Sequence, residues 1–227
     1  MSWHYFEQAE QQAVFLAAKV AADLVHLLEQ QQQVTLCVPG GTTPGLFFNH
    51  ISRFELDWSR VRLVLSDERW VPLDNPLSNE ALLRQQFARN AASNVGIVSL
   101  FDGSMPIVTA VEHVNAELTP ILPIDICVLG MGEDGHTASL FPGMDGLVDA
   151  LNAEQEPKLV VARVQNKQEL RVSWNLSALL RASRHYLLIK GREKQTVAAK
   201  AEQALSLELP VSYVLNNAAT DIYCAEY

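Results

Sequence analysis

Short runs rich in Val, Leu and Ile alternate along this chain with longer stretches of helical periodicity. Val34–Val38, Val61–Leu65, Ile124–Leu129, Leu159–Val164 and His185–Ile189 read as strands, and shorter strands are expected near Val211–Leu215 and Ile222–Ala225. Helices are expected from Glu7 to Gln33, from Pro44 onward, and over Ser78–Arg89, Val108–Leu118, Leu176–Leu180 and Glu193–Leu205. The first carries Val14, Ala17, Ala21, Leu24, Val25 and Leu28 at spacings of three and four, one apolar stripe. The second is predicted to use Thr43 as N-cap, with Pro44 at the N1 position that proline favours, and the third to be capped by Ser78 or Asn79. Strands alternating with such helices argue for an α/β domain around a mainly parallel sheet.

The 227 residues suffice to bury a sizeable core, and with no internal repeat or low-complexity linker they read as one domain, 1–227. Hydrophobic residues at 48% against 19% charged argue against disorder. A formal net charge of −9 opposes nucleic-acid and anionic-membrane partners, and any anionic substrate then needs a local positive site. Cys37, Cys127 and Cys224 each sit in an apolar run without C-x-x-C spacing, and are read as buried reduced thiols. The N-terminus lacks a basic leader region, and Glu7, Glu10, Lys19 and Asp23 interrupt its apolar positions. No run is read as reaching transmembrane length, so the expected location is cytoplasmic.

Ligands of open α/β sheets bind beyond the carboxyl ends of the strands, and three strands here end in unusual polar sequences. After Ile124–Leu129 comes Gly130-Met131-Gly132-Glu133-Asp134-Gly135-His136. Its glycines permit a tight turn and close backbone approach to a ligand, and it sets a carboxylate and an imidazole two residues apart. Gly130-x-Gly132-x-x-Gly135 also matches the dinucleotide fingerprint, but it lies past the midpoint of the chain and carries charged residues. Asp149, Glu154 and Glu156, near the required distance, fall before the next strand rather than at its end. A glycine turn with a structural His is the plain alternative.

Pro39-Gly40-Gly41-Thr42-Thr43-Pro44 is a strand-to-helix turn whose N–H groups, helix dipole and hydroxyls favour an anion, most simply phosphate; a plain capped turn fits as well. Ser66-Asp67-Glu68-Arg69 suits a polyhydroxy substrate, the positioning of a side chain, or an ordinary surface ion pair. Arg171 and Lys194 are candidate cations for an anionic substrate. Lys194 follows Gly191 at a helix start, where a cation opposes the dipole unless an anion is present. The histidines have no metal-ligand spacing and there is no Gly-x-Ser-x-Gly elbow, so neither a zinc site nor that type of hydrolase is expected.

In order and spacing, Pro39–Pro44, Asp67-Glu68-Arg69 with Val71-Pro72, Ser78-Asn79, Gly130–Gly143, Arg171 and Gly191 to Lys194 resemble the 6-phosphogluconolactonase family, in its form related to glucosamine-6-phosphate isomerase/deaminase. The likeness runs from about residue 35 to 200, and Asp134-Gly135-His136-Thr137-Ala138-Ser139-Leu140-Phe141-Pro142 is its most specific part. Pro39 stands where the family often has Ser, so a hydroxyl is lost there, and Thr42 replaces a second Ser.

The resemblance implies a Rossmann-like three-layer sandwich and hydrolysis of 6-phospho-D-glucono-1,5-lactone to 6-phosphogluconate, with no metal or organic cofactor. It implies phosphate held by Gly40, Gly41, Thr42 and Thr43 with Arg171 and Lys194, and further substrate contacts from Asp67, Asn79 and Gly132. His136 is the implied general base, oriented by Asp134 or Glu68, while glycine-turn N–H groups and Arg69 face the oxyanion. The expected partner is the sugar-phosphate lactone alone, and the expected state is a monomer or weak homodimer. A deaminase/isomerase acting on an amino-sugar phosphate is the alternative. Such relatives usually show Asp-Glu-Tyr for Asp67-Glu68-Arg69, and an Asn-Glu-Pro stretch where this chain has Ser139-Leu140-Phe141-Pro142. A non-catalytic sugar-phosphate sensor is a third reading, opposed by the acidic charge and the lack of a helix-turn-helix segment.

Overall fold

A computed structural model describes residues 1–164 and 169–227. The elements run β1 (Ser2–Phe6), α1 (Ala9–Gln30), β2 (Val34–Val38), α2 (Gly45–Ile51), β3 (Val61–Leu65), β4 (Asp67–Arg69), α3 (Asn79–Gln86), β5 (Gly96–Val98) and α4 (Ile107–Leu118). There follow β6 (Ile126–Leu129), α5 (Leu147–Ala150), β7 (Leu159–Ala162), β8 (Arg171–Trp174), α6 (Leu176–Leu180), β9 (Arg184–Lys190), α7 (Arg192–Ala201), α8 (Val211–Leu215) and β10 (Thr220–Ala225).

Seven strands form one sheet in the order β1-β10-β9-β6-β2-β3-β5, every pairing parallel. Helices flank it in a three-layer, Rossmann-like arrangement. From β2 the chain moves outward through β3 and β5, then returns to lay β6 on the other side of β2 and moves out through β9 and β10. The loops after β2 and β6 therefore leave in opposite directions, which opens a crevice at their carboxyl ends. A second, antiparallel sheet, β4-β8-β7, sits where the chain leaves β3.

The expected strands on β2, β3, β6, β7, β9 and β10 are present, and β1, β4, β5 and β8 are additional. Val211–Leu215 is helix α8, not a strand. Pro210 enters it with φ −54°, already helical, and an apolar run of five residues has no period of its own to separate the two states. The stripe on α1 is also displaced. Val14 and Val25 are exposed, while Ala13, Leu16, Ala17, Val20, Leu24 and Leu28 are buried with Ala21. Thr43 does not cap α2; Pro44 occupies the cap and makes no side-chain cap bond.

By length and composition α1 could cross a membrane, contrary to the reading that no run is long enough. Here it packs against the sheet. Gln12 Nε2 donates to the Ile189 and Tyr223 carbonyls at 2.6 and 2.7 Å, and Asp23 accepts from Tyr186 and Lys19, so its buried polar groups are answered by specific partners. The three cysteines are buried free thiols. Burial, with the neighbouring Cys127, pushes the Cys37 thiol well above its ordinary range.

Candidate active site

A cavity of about 210 Å³ opens where the β2–β6 crevice lies. Its walls come from the carboxyl ends of four parallel strands: Gly40 to Thr43 after β2, Asp67 after β3, Gly130, Gly132 and His136 after β6, and Lys194 beyond β9. Arg69, Asn79 and Arg171 also line it, with Pro39, Pro44 and Ser66 from the same motifs. Asp134 and Glu68 do not reach it. Met131 and Ala138, inside the Gly130–Gly143 segment but given no role of their own, also line it, as does Leu188, which no motif marked.

The turn after β6 is built around one pair. His136 Nδ1 lies 2.5 Å from Asp134 Oδ1, and the His136 N–H donates to the same oxygen at 3.2 Å. Burial pushes the Asp134 carboxyl up, but the charge and hydrogen bonds of His136 outweigh it and hold the acid below its ordinary range. Gly132 is needed for clearance: a Cβ there would stand 2.2 Å from the imidazole and 2.5 Å from Asp134 Oδ1. Gly135 turns with φ +75°, a conformation that L side chains rarely adopt. The same turn consumes its own donors. Gly132 N–H bonds the His136 carbonyl at 2.9 Å and Gly135 N–H the Gly132 carbonyl at 3.1 Å. Neither is directed at a ligand, which removes both from the expected oxyanion donors.

On the same cavity, β4 pairs with β8 so that Arg69 stands opposite Arg171, and Asp67 opposite Ser173. Like charges placed directly across a ladder oppose one another. Lys194 adds a third cation to the same walls. Burial lowers the Arg171 pKa, with Asp67 opposing and Arg69 adding to the shift, although a guanidinium remains charged at neutral pH. An anion in the cavity would relieve this crowding. Asp67 is fixed by Ser139 Oγ at 2.5 Å and Ser66 Oγ at 3.0 Å. The role of Ser139 has no local signal, because its partner lies 72 positions earlier.

Glu68 takes no part in orienting His136. It is 1% exposed and accepts from the N–H groups of Arg69 (2.6 Å), Asn79 (2.9 Å) and Glu80 (2.7 Å) and from Ser78 Oγ (3.2 Å). Burial still lifts its carboxyl above the ordinary range against these donors. Its work is to seat the start of α3, where Ser78 caps Ala81 N–H at 3.1 Å. Asn79 then reaches both neighbours: Arg69 Nη1 donates to its Oδ1 at 2.7 Å, and its Nδ2 donates to the Asp67 carbonyl at 3.1 Å. Gly40 packs under that amide so closely that a Cβ would meet it at 2.1 Å. Among the described residues no group of three or more His, Cys, Asp or Glu is placed to hold a metal ion.

The family model of glucosamine-6-phosphate isomerases/6-phosphogluconolactonase matches residues 7–223. The chain belongs to that family. Within the isomerase/lactonase family, a 6-phosphogluconolactonase of Rhizobium meliloti is 34% identical over 221 residues, 96% of this chain and 95% of that one. Another from Neisseria meningitidis is 36% identical over 95% of this chain and 94% of its own. The solved structure of a 6-phosphogluconolactonase from Shewanella baltica superposes with a TM-score of 0.91 at 30% identity, covering 100% of this chain and 97% of that one.

Proposed function

We propose that this chain is a 6-phosphogluconolactonase, a hydrolase that opens 6-phospho-D-glucono-1,5-lactone to 6-phospho-D-gluconate in the second step of the oxidative pentose phosphate pathway. One observation carries the reading: a single cavity is lined by an imidazole backed by a carboxylate and by Arg69, Arg171 and Lys194. The names of the relatives agree with it.

In the proposed reaction His136 keeps its proton on Nδ1 and donates a hydrogen bond from it to Asp134, so Nε2 is the basic atom. It takes a proton from water as that oxygen bonds to C1. Arg69 is assigned to stabilise the C1 oxyanion, since the N–H groups of Gly132 and Gly135 bond within the turn. The imidazolium returns the proton to the ring oxygen as the C1–O bond breaks, leaving the carboxylic acid. The phosphate sits against Thr42, Thr43, Gly40 and Gly41 with Arg171 and Lys194. Because α2 has only seven residues and starts at Gly45, the hydroxyls and side-chain cations count for more there than a helix dipole. Asp67 and Asn79 face the sugar hydroxyls, and Gly132 gives the dyad its room. These steps draw on protein groups and water alone. The enzyme works in the cytoplasm as one domain, a monomer or weak homodimer, with no nucleic-acid or membrane partner.

The test is proton release from the lactone, followed above its spontaneous hydrolysis, in parallel with a coupled ammonia assay on glucosamine 6-phosphate. Acceleration of the first without the second is expected. Ammonia release would assign the deaminase reaction instead, and sugar-phosphate binding without either turnover would assign a sensor.

A further inference from the structure

Phe141 is buried and does not line the cavity, yet its ring touches two groups that do. The His136 imidazole packs on it with ring centroids 4.1 Å apart and planes inclined by 31°. The Arg171 guanidinium carbon lies 5.4 Å from the same ring's centroid, within the range at which an aromatic face attracts a cation. Arg171 is otherwise loosely held. Its Nε is buried with no hydrogen-bond partner among the described residues, Asp67 is 3.9 Å away, and Arg69 across the ladder repels it. Position 141 lies five residues after His136 in the same loop, while its ring meets the Arg171 side chain from β8.

We infer that Phe141 is a positioning residue that sets the spacing between the His136 base and the Arg171 cation. The inference rests on the lactonase reading and adds to it a determinant of substrate choice. A phosphorylated lactone has a limited span between its anionic end and C1. Only a fixed spacing lets the carbonyl meet His136 while the phosphate meets the arginine, and small displacements of such groups are costly. An unphosphorylated lactone engages the base alone and depends less on the spacing.

Phe141→Leu keeps much of the apolar volume and removes both ring contacts. For the phosphorylated lactone kcat is expected to fall and KM to rise, each by roughly tenfold. Preference over unphosphorylated glucono-1,5-lactone should shrink by about tenfold. A ring that only filled space would lower the melting temperature and leave KM and that preference unchanged, which would overturn the inference. Wild-type lactone turnover, measured first, tests the lactonase reading separately. If the variant does not fold, the wild-type NMR spectrum decides: His136 imidazole protons, assigned by their loss in His136→Gln, should be ring-current shifted upfield. Unshifted imidazole protons would overturn the inference as well.

Discussion

At the scale of single residues, the site depends on a missing side chain as much as on those present. Gly132 touches both members of the His136–Asp134 pair, and the cavity wall it forms has no space for a methyl group. Gly132→Ala should therefore displace the imidazole and lower kcat by about a hundredfold or more while leaving circular dichroism unchanged. An alanine variant with wild-type kcat would show that the pair is not held where the reaction needs it. The two-residue spacing of Asp134 and His136 made this dyad visible in the sequence. The sequence left open whether Asp134 or Glu68 orients the ring, because the buried position of Glu68 is set by N–H groups at residues 79 and 80, which no local pattern announces. Gly132 was expected to touch substrate; its tight contacts are with the dyad itself.

At the scale of elements, the strands after which the polar motifs fall were legible because parallel, doubly covered strands read as unbroken apolar runs. The small antiparallel sheet was not. β4 is Asp67-Glu68-Arg69, a charged triplet with poor strand propensity that pairs with β8, the Trp70 N–H continuing the ladder to the Leu170 carbonyl. That pairing sets Arg69 beside Arg171, 102 positions apart in the chain, so the anion site is a product of the second sheet. Glu68 ties the sheet to α3. Glu68→Gln replaces one acceptor oxygen with a donor facing N–H and hydroxyl donors, and should cost about 1–3 kcal/mol of stability. The melting temperature should fall, and KM should rise as Asn79 and Arg69 lose their seat. Unchanged stability would mean that these bonds contribute little and that α3 is seated by its apolar contacts.

At the scale of the whole molecule, the charges are unevenly spread. A chain of net charge −9 gathers Arg69, Arg171 and Lys194 on one cavity, at the point where the strand order reverses around β2 and β6. Topology supplies the crevice, and the loops that meet there supply a base and three cations to one cavity. The Gly-x-Gly-x-x-Gly turn serves the base rather than a dinucleotide: the N–H groups of Gly132 and Gly135 fold back on the turn, and Gly132 makes way for His136. The central claim is that this imidazole activates water. It is tested most directly by lactone hydrolysis measured as proton release against the spontaneous rate, with wild type and His136→Ala side by side. Wild type should accelerate hydrolysis, and His136→Ala should lower kcat by about 10²–10⁴-fold with the fold intact. A His136→Ala enzyme with near-normal kcat would contradict the account.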